Sequence, residues 1–498
     1  MGIKGLNRWL KNNKQIRTFN DISKIRIDTL FVDGQQLYYG IKHDIVKEEN
    51  QDDIQVFIEL TNSVLDTFQP EEYVYVGMDG PNPAAKFQKQ RHSRYNEAID
   101  MLKQSGENFV YLDENQCQSE MKEEIIDDVL KKFLSEKVQQ QDFKTKHILY
   151  SGRKSPGEAE HKYFDYFRKQ KESRTLTKNQ NHFILSNDND FIFLTLQFID
   201  ENFYVIKFNL DDQKNMTYNI IDISSVREYF LSQIQNKYYQ RTNSFKKRVI
   251  DDIIALSFIL GNDFIPDFND IEPYCHSFNQ LIKSYSYLNK DKRNDYQFLI
   301  ENECFKVSTL QNVVLLFFKN IEYNQNRNSN RSHNTQKRKE KCHNKIDPNQ
   351  KNKAQSLLRM FNFCYLYYSE GTPSWTYYYP YKETLTLKDA VELMTQEGKE
   401  FFASLDDNEI TDPFLKALVT HPAYHTASLP WNIYKIKIPS HSPIADKYWP
   451  LIDDPQNVPI FDLKNIKIYY KIALETLSQE EKELNKLDIP FYEYNKHV

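Results

Sequence analysis

The chain has 498 residues, 40% of them hydrophobic and 27% charged, the profile of a soluble globular protein large enough for two or three domains. A net charge of −5 and a pI near 6.2 exclude a generally basic chain, so any affinity for nucleic acid has to come from local patches. No run of about 18 apolar residues is present to cross a membrane. The start MGIKGLNRWL lacks a signal-peptide core, and its Leu6 stands where a myristoylation motif wants Ser or Thr.

In chain order, four short apolar runs read as buried strands: Arg26–Val32, Tyr73–Met78, His147–Tyr150 and His182–Ser186. Helical patterns separate them, which predicts an α/β fold with a mainly parallel twisted sheet flanked by helices. Ligands of open parallel sheets bind beyond the carboxyl ends of the strands, and the residues leaving these strands are Asp33, Asp79, Ser151 and the Asn187–Asp190 turn.

After Asp79 the stretch DGPNPAAKFQKQRHSRY places Lys86, Lys89, Arg91 and Arg94 within nine residues that contain no acid. At helical spacing Lys86, Gln90 and Arg94 share a face and form a row of phosphate donors, although a solvated helix face has the same pattern. Farther on, Ser155, Pro156 and Glu158 fit a capping box, which would make Glu158 structural. A regular helix also sets Glu158 and Glu160 about 200° apart, off a common face. Asp188 and Asp190 share a face if the strand geometry persists past Ser186, whereas DND alone is an ordinary turn sequence. Val249–Leu260 reads as a helix stopped by Gly261, with Asp263 just beyond it.

Residues 326–353 carry nine Lys or Arg against Glu340 and Asp347 and almost no large apolar side chain, and read as a disordered basic linker. The division is then an N-terminal catalytic region over 1–325, the linker over 326–353, and a mostly helical, aromatic-rich region over 354–498 that braces the site. Five scattered cysteines (Cys117, Cys275, Cys304, Cys342, Cys364) without a CxxC pair indicate a reducing, intracellular setting and no structural zinc. Nucleus and cytoplasm both stay open, since Lys337–Lys341 permits nuclear import.

Seven carboxylates in one cleft repel one another, and bound Mg²⁺ or Mn²⁺ is the usual relief. Two ions about 4 Å apart suit phosphodiester hydrolysis, and no Lys or His base is then required.

The order of motifs resembles the 5′→3′ exoribonucleases of the Xrn/Rat type. The resemblance runs through MGIKGLNRWL, FVDGQQLYY, the AKFQKQRHSRY stretch, PGEAEHKYFDYFR, SNDNDFIFLTL and FILGNDFIP, and resumes with EGTPSWTYYYPY and HSPIADKYWP. It implies a catalytic core like that of the PIN and flap nucleases, and degradation of single-stranded RNA bearing a 5′-monophosphate, in RNA turnover or processing. Carried over, it makes Asp33, Asp79, Glu158, Glu160, Asp188, Asp190 and Asp263 the catalytic and metal-binding acids. Lys86, Gln90 and Arg94 become the 5′-phosphate pocket, and Tyr39 and Trp375 the base-stacking pair, with Tyr377 a rival for Trp375. Two departures stand out: Ser93 occupies the place of a further Arg, and Tyr39 that of a stacking His. Two other readings compete: a flap-type structure-specific DNA nuclease, and a catalytically inactive RNA-binding homologue. After Phe264 the chain continues IPDFNDIEPYCHSFNQLIK, without the glycines of the duplex-gripping hairpin of flap enzymes, which favours a single-stranded substrate.

Overall fold

The computed structural model describes residues 9–10, 12–13, 17–19, 25–44, 53–106, 108–113, 124–174, 179–211, 216–236, 242–266, 268–271, 274–292, 295–329, 348–405, 409–424 and 429–496. Strands β1 (Thr18–Phe19), β2 (Thr29–Asp33), β3 (Tyr73–Gly77), β4 (His147–Ser151), β5 (Asn181–Leu185), β6 (Asn202–Leu210) and β7 (Met216–Asp222) build one sheet. The hairpin β8 (Ile300–Glu301) and β9 (Cys304–Phe305) stands apart, and β10 (Tyr492–Asn495) returns to the main sheet. Its order is β1-β7-β6-β5-β2-β3-β4-β10. The five central strands are parallel, and β7, β1 and β10 add antiparallel edges. The four expected strands are the heart of this sheet, and β6 and β7 extend it beyond what the apolar runs indicated.

From β2 the chain proceeds to β3 and β4 on one side and to β5 and β6 on the other, so the strand order reverses between β2 and β5. A crevice opens at such a reversal, beyond the carboxyl ends. Side chains alternate across the sheet: Leu30, Val32, Val74, Val76 and Ile148 enter one core with the helices Asp53–Phe68 and Glu124–Lys137. Phe31, Tyr75, Leu149 and Ile184 enter the other. Both faces are therefore covered, as a parallel sheet requires.

The helices that matter for the site are α1 (Gly34–Asp44), α2 (Phe87–Ser105), α3 (Ala159–Glu172), α4 (Asp190–Leu196), α5 (Asn243–Phe258), α6 (Val307–Ser329), α7 (Pro348–Ser369) and α8 (Pro413–Thr420). Helix α6 runs into the segment expected to be a linker, and α7 begins inside it, so residues 326–329 and 348–353 are helical rather than disordered. The buried residues Phe317, Ala354 and Leu357 anchor these two helices, and the polar residues at their ends continue a helix already nucleated. Residues 330–347, with Lys337–Lys341, lie outside the described residues, as do residues 1–8 of the opening motif.

The C-terminal region shares its packing with the rest. Leu357, Phe361 and Phe363 of α7 lie in one cluster with Phe191 and Ile254, while Phe414 and Leu418 of α8 cluster with Ala84 and Phe87. The two halves are thus clamped together on either side of the β2–β5 crevice.

Candidate active site

Asp33 ends β2, 3% exposed, with Oδ1 accepting from the Gln36 amide (3.0 Å) and Oδ2 from the Ser186 hydroxyl (2.7 Å). This bond ties the ends of β2 and β5 across the crevice. Burial, then Asp79 and Asp188, push Asp33 up to about 8.

Asp79 leaves β3, and its Oδ1 accepts from the Ala159 amide at 3.0 Å, capping the first turn of α3. The loops on either side are zipped by Gly80 N–H to Gly157 O (2.9 Å) and Gly157 N–H to Pro81 O (2.8 Å). A Cβ at Gly80 would stand 1.8 Å from Ser155 O, and Gly157 has φ +101°, so both positions need glycine.

The capping-box reading of Glu158 fails. Helix α3 begins at Ala159, so Glu158 is its N-cap residue with extended backbone (φ −75°, ψ 155°) and no capping bond of its own. The Ser155 hydroxyl donates instead to Ile489 O. Because Glu158 is not yet helical, the 200° objection disappears. Carboxylate oxygens of Glu158 and Glu160 and a ring nitrogen of His161 lie within 4.8 Å of one another, all buried.

Asp188 and Asp190 also meet by a different route than the expected extended strand. The chain turns after Ser186, Asp188 Oδ1 accepts from the Asp190 amide (3.1 Å), and Asp190 opens α4. Lys207 on β6 donates to Asp188 O at 2.7 Å. Burial, then Asp188, raise Asp190 to about 8, and its Oδ1 is buried without a hydrogen-bond partner. Asp263 follows α5 after Gly261, whose φ of +87° makes the expected stop.

Lys86 does not lie on the regular helix with Gln90 and Arg94. It sits in the 3₁₀ turn Ala84–Lys86, 6% exposed, with Nζ 2.5 Å from Glu158 Oε1 and 3.7 Å from Asp263 Oδ2. Burial opposes its charge, but Glu158, Asp263, Glu160 and Asp190 outweigh that and hold it well above the usual lysine range. It is therefore a counter-ion of the acids as much as a member of the basic row. Burial still raises Glu158 despite Lys86, and burial with Glu158 and Asp79 raises Glu160 well above the carboxylate range. His161 is held well below its ordinary value by burial, Lys86 and Arg168, and its Nδ1 has no partner. A buried set of oxygen donors short of positive charge, with unpartnered Asp190 and His161 atoms, fits divalent cations.

Arg94 is half-buried, donating to Glu97 (3.0 Å) and toward the Tyr39 hydroxyl (3.5 Å). Tyr39 on α1 is half-buried too, and so is Trp375, whose carbonyl accepts from the Ala84 amide at 2.9 Å. Both stacking candidates thus flank the basic segment. Tyr377 is a core ring instead, packed edge-on against Phe401 and Phe402 with its hydroxyl on Ser356 O. Arg91 turns away from the row: fully buried, it donates to Val419 O, Tyr448 O and the Tyr95 hydroxyl.

Four site residues escaped the sequence reading. His161 was visible in the PGEAEHK motif beside Glu160. The others arrive from the C-terminal region: Tyr367 donates to Glu158 Oε2 (2.8 Å), Tyr368 acts on Asp190, and Lys416 donates to Gly80 O (2.8 Å) and Asn82 Oδ1 (3.4 Å). Burial brings Lys416 down to about 8. Nothing local marks these residues, since tyrosines in a helix of apolar residues read as core.

Residues 1–209 match the family model described as the N-terminus of XRN 5′-3′ exonucleases. Residues 1–209 are thus similar to the N-terminal region of that family. The chain is 24% identical over 287 residues to 5′-3′ exoribonuclease 1 of Saccharomyces cerevisiae, covering 52% of this chain and 19% of that protein. With 5′-3′ exoribonuclease 1 of Schizosaccharomyces pombe it shares 26% over 300 residues, covering 53% and 22%. The chain therefore spans about a fifth of the length of these curated relatives. The solved catalytic core of Rad2 with DNA aligns at 14% identity and a TM-score of 0.35 over 79% of this chain and 93% of that one, a likeness too shallow to bear on function. The matched region contains Asp33, Asp79, Glu158, Glu160, Asp188 and Asp190, whereas Asp263, Tyr367 and Tyr368 lie beyond it.

Proposed function

We propose that the protein is a 5′→3′ exoribonuclease that degrades single-stranded RNA bearing a 5′-monophosphate to mononucleotides. The observation that carries this reading is the adjacency of two features: a buried acidic cluster at the β2–β5 crevice, and the cationic segment from Lys86 to Arg94 at its edge. The named relatives support the same direction and substrate.

Asp33, Asp79, Glu158, Glu160, Asp188, Asp190 and Asp263 would hold Mg²⁺ or Mn²⁺, two ions in this reading. Such ions supply Lewis-acid stabilisation of the phosphoryl oxygens and activation of water. The chain's own residues do the rest. Asp79 and Glu158 are fixed by the start of α3, Ser186 orients Asp33, and Tyr367 orients Glu158. Lys86, Gln90 and Arg94 bind the 5′-phosphate, a small charged group that a cap or triphosphate would exceed. Tyr39 and Trp375 stack on bases, which tolerates any sequence.

A time course on end-labelled RNAs that differ only at the 5′ end tests this. With Mg²⁺, 5′-monophosphorylated RNA should release mononucleotides from the 5′ end faster than its 5′-hydroxyl twin. Equal rates would sink the phosphate pocket. Asp188→Ala with Asp190→Ala should abolish turnover; full activity in that variant would refute the acid assignment, and an inert wild-type protein would favour an RNA-binding homologue.

A further inference from the structure

Lys416 is a cation whose counter-charge the described chain does not supply. It projects from α8, which Asp412 caps through the Leu415 amide (2.8 Å) and whose Phe414, Leu415, Leu418 and Val419 are buried against Phe87 and Ala84. Arg91 of α2 bonds Val419 O, so α2 and α8 are fastened side by side. The position of Lys416 is therefore set by rigid elements. Its ammonium has three N–H groups. Gly80 O and Asn82 Oδ1 take two, and both are neutral; no carboxylate pairs with it within 4.0 Å among the described residues.

The surroundings sharpen this. Gly80 and Asn82 belong to the loop that starts at Asp79, and Asn82 Nδ2 in turn approaches Glu158 Oε1 at 3.4 Å. Asp79 and Glu158 favour the charge on Lys416, whereas Arg94 and Arg153 oppose it. Lys416 is bonded to the loop that leaves Asp79, and its helix is fastened to α2, the helix that carries Arg94. Like charges gathered beside a partly enclosed cation raise the energy of the empty arrangement and favour an incoming anion. Lys86, by contrast, is already engaged by Glu158 and Asp263.

We propose that Lys416 is a ligand of the substrate's 5′-phosphate, supplied by the C-terminal region and added to the pocket of Lys86, Gln90 and Arg94. This rests on the reading of the site as one for 5′-phosphorylated RNA, and it makes the C-terminal region a determinant of 5′-end specificity as well as a brace.

The test is binding rather than turnover. The dinucleotides pApA and ApA are titrated calorimetrically into the full chain in EDTA, so that nothing is cleaved. Lys416→Met should weaken pApA by about tenfold or more, the value of one charge-assisted bond, and leave ApA unchanged, with Lys416→Arg restoring the difference. Should Lys416→Met fail to fold, Lys416→Gln keeps donors for Gly80 and Asn82 without the charge, and the same loss is expected. An equal loss for both ligands, or none for either, overturns the proposal and makes Lys416 a brace only. If wild type prefers pApA but Lys416→Met keeps that preference, Lys416 is excluded while the pocket stands. If wild type binds both dinucleotides alike, the pocket and Lys416 fall together, whereas mononucleotide release from long RNA remains a separate result.

Discussion

Lys86→Met tests this lysine as the counter-ion of the acids. Its Nζ lies 2.5 Å from Glu158 Oε1 and 3.7 Å from Asp263 Oδ2, and both partners are largely buried. Removing one member of a buried pair costs about 3–5 kcal/mol, because the remaining charge is left in a poorly solvating interior. Methionine fills much of the same volume and keeps contact with the Phe264 ring, 5.2 Å from Nζ in the wild type, so cavity formation adds little. Against a total stability of about 5–15 kcal/mol, such a loss is large. Urea denaturation in metal-free buffer should show it. In saturating Mg²⁺ the deficit should shrink, because a divalent cation replaces the missing charge among Glu158, Asp263, Glu160 and Asp190. A loss below about 1 kcal/mol without metal, or a deficit that Mg²⁺ leaves unchanged, would refute Lys86 as the counter-ion of the acids.

Arg91→Ala should destabilise the full chain by about 4 kcal/mol in urea, since two charge-assisted bonds are lost and the carbonyls of Val419 and Tyr448 are left buried; a change near zero would mean that the α2–α8 seam does not depend on it. Tyr367→Phe removes the donor to Glu158 Oε2 and should raise the Mg²⁺ concentration needed for half-maximal thermal stabilisation by about tenfold, as loss of an outer-shell partner does; an unchanged Mg²⁺ requirement would argue against that role. Asp252, away from the site, accepts from Tyr285, Leu299 and Ile300, and burial raises it to about 7. Its folded value lies above its unfolded one, so its contribution is full below about pH 4 and is lost as pH rises through 7. Lowering the pH from 8 to 5 should therefore stabilise wild type relative to Asp252→Asn by about 2–3 kcal/mol. A gap that stays constant or widens toward high pH would contradict this.

The apolar runs that lead into Asp33, Asp79 and the Asn187–Asp190 turn determined much of this protein by themselves. Short buried strands have a local signature, and the residue that follows each is bound to emerge at the carboxyl edge of a parallel sheet. Gly261 likewise stopped α5 as its neighbours indicated. Tertiary structure decided what local pattern cannot. Glu158 escapes the capping box because α3 starts three residues later than that box requires, at Ala159 rather than Pro156, and Asp79, 80 positions before Ala159, provides the cap. Lys86 leaves the helical row because a 3₁₀ turn aims it at the acids. Asp188 and Asp190 converge by a turn rather than by strand period. The C-terminal groups that reach the site come from far along the chain: Tyr368 acts on Asp190, Tyr367 bonds Glu158 across 209 positions, and Lys416 bonds Gly80 across 336. Their local sequence says only that they sit on helices; which carboxylate or loop they meet depends on how α7 and α8 pack around the crevice, a long-range arrangement that no short window of sequence contains.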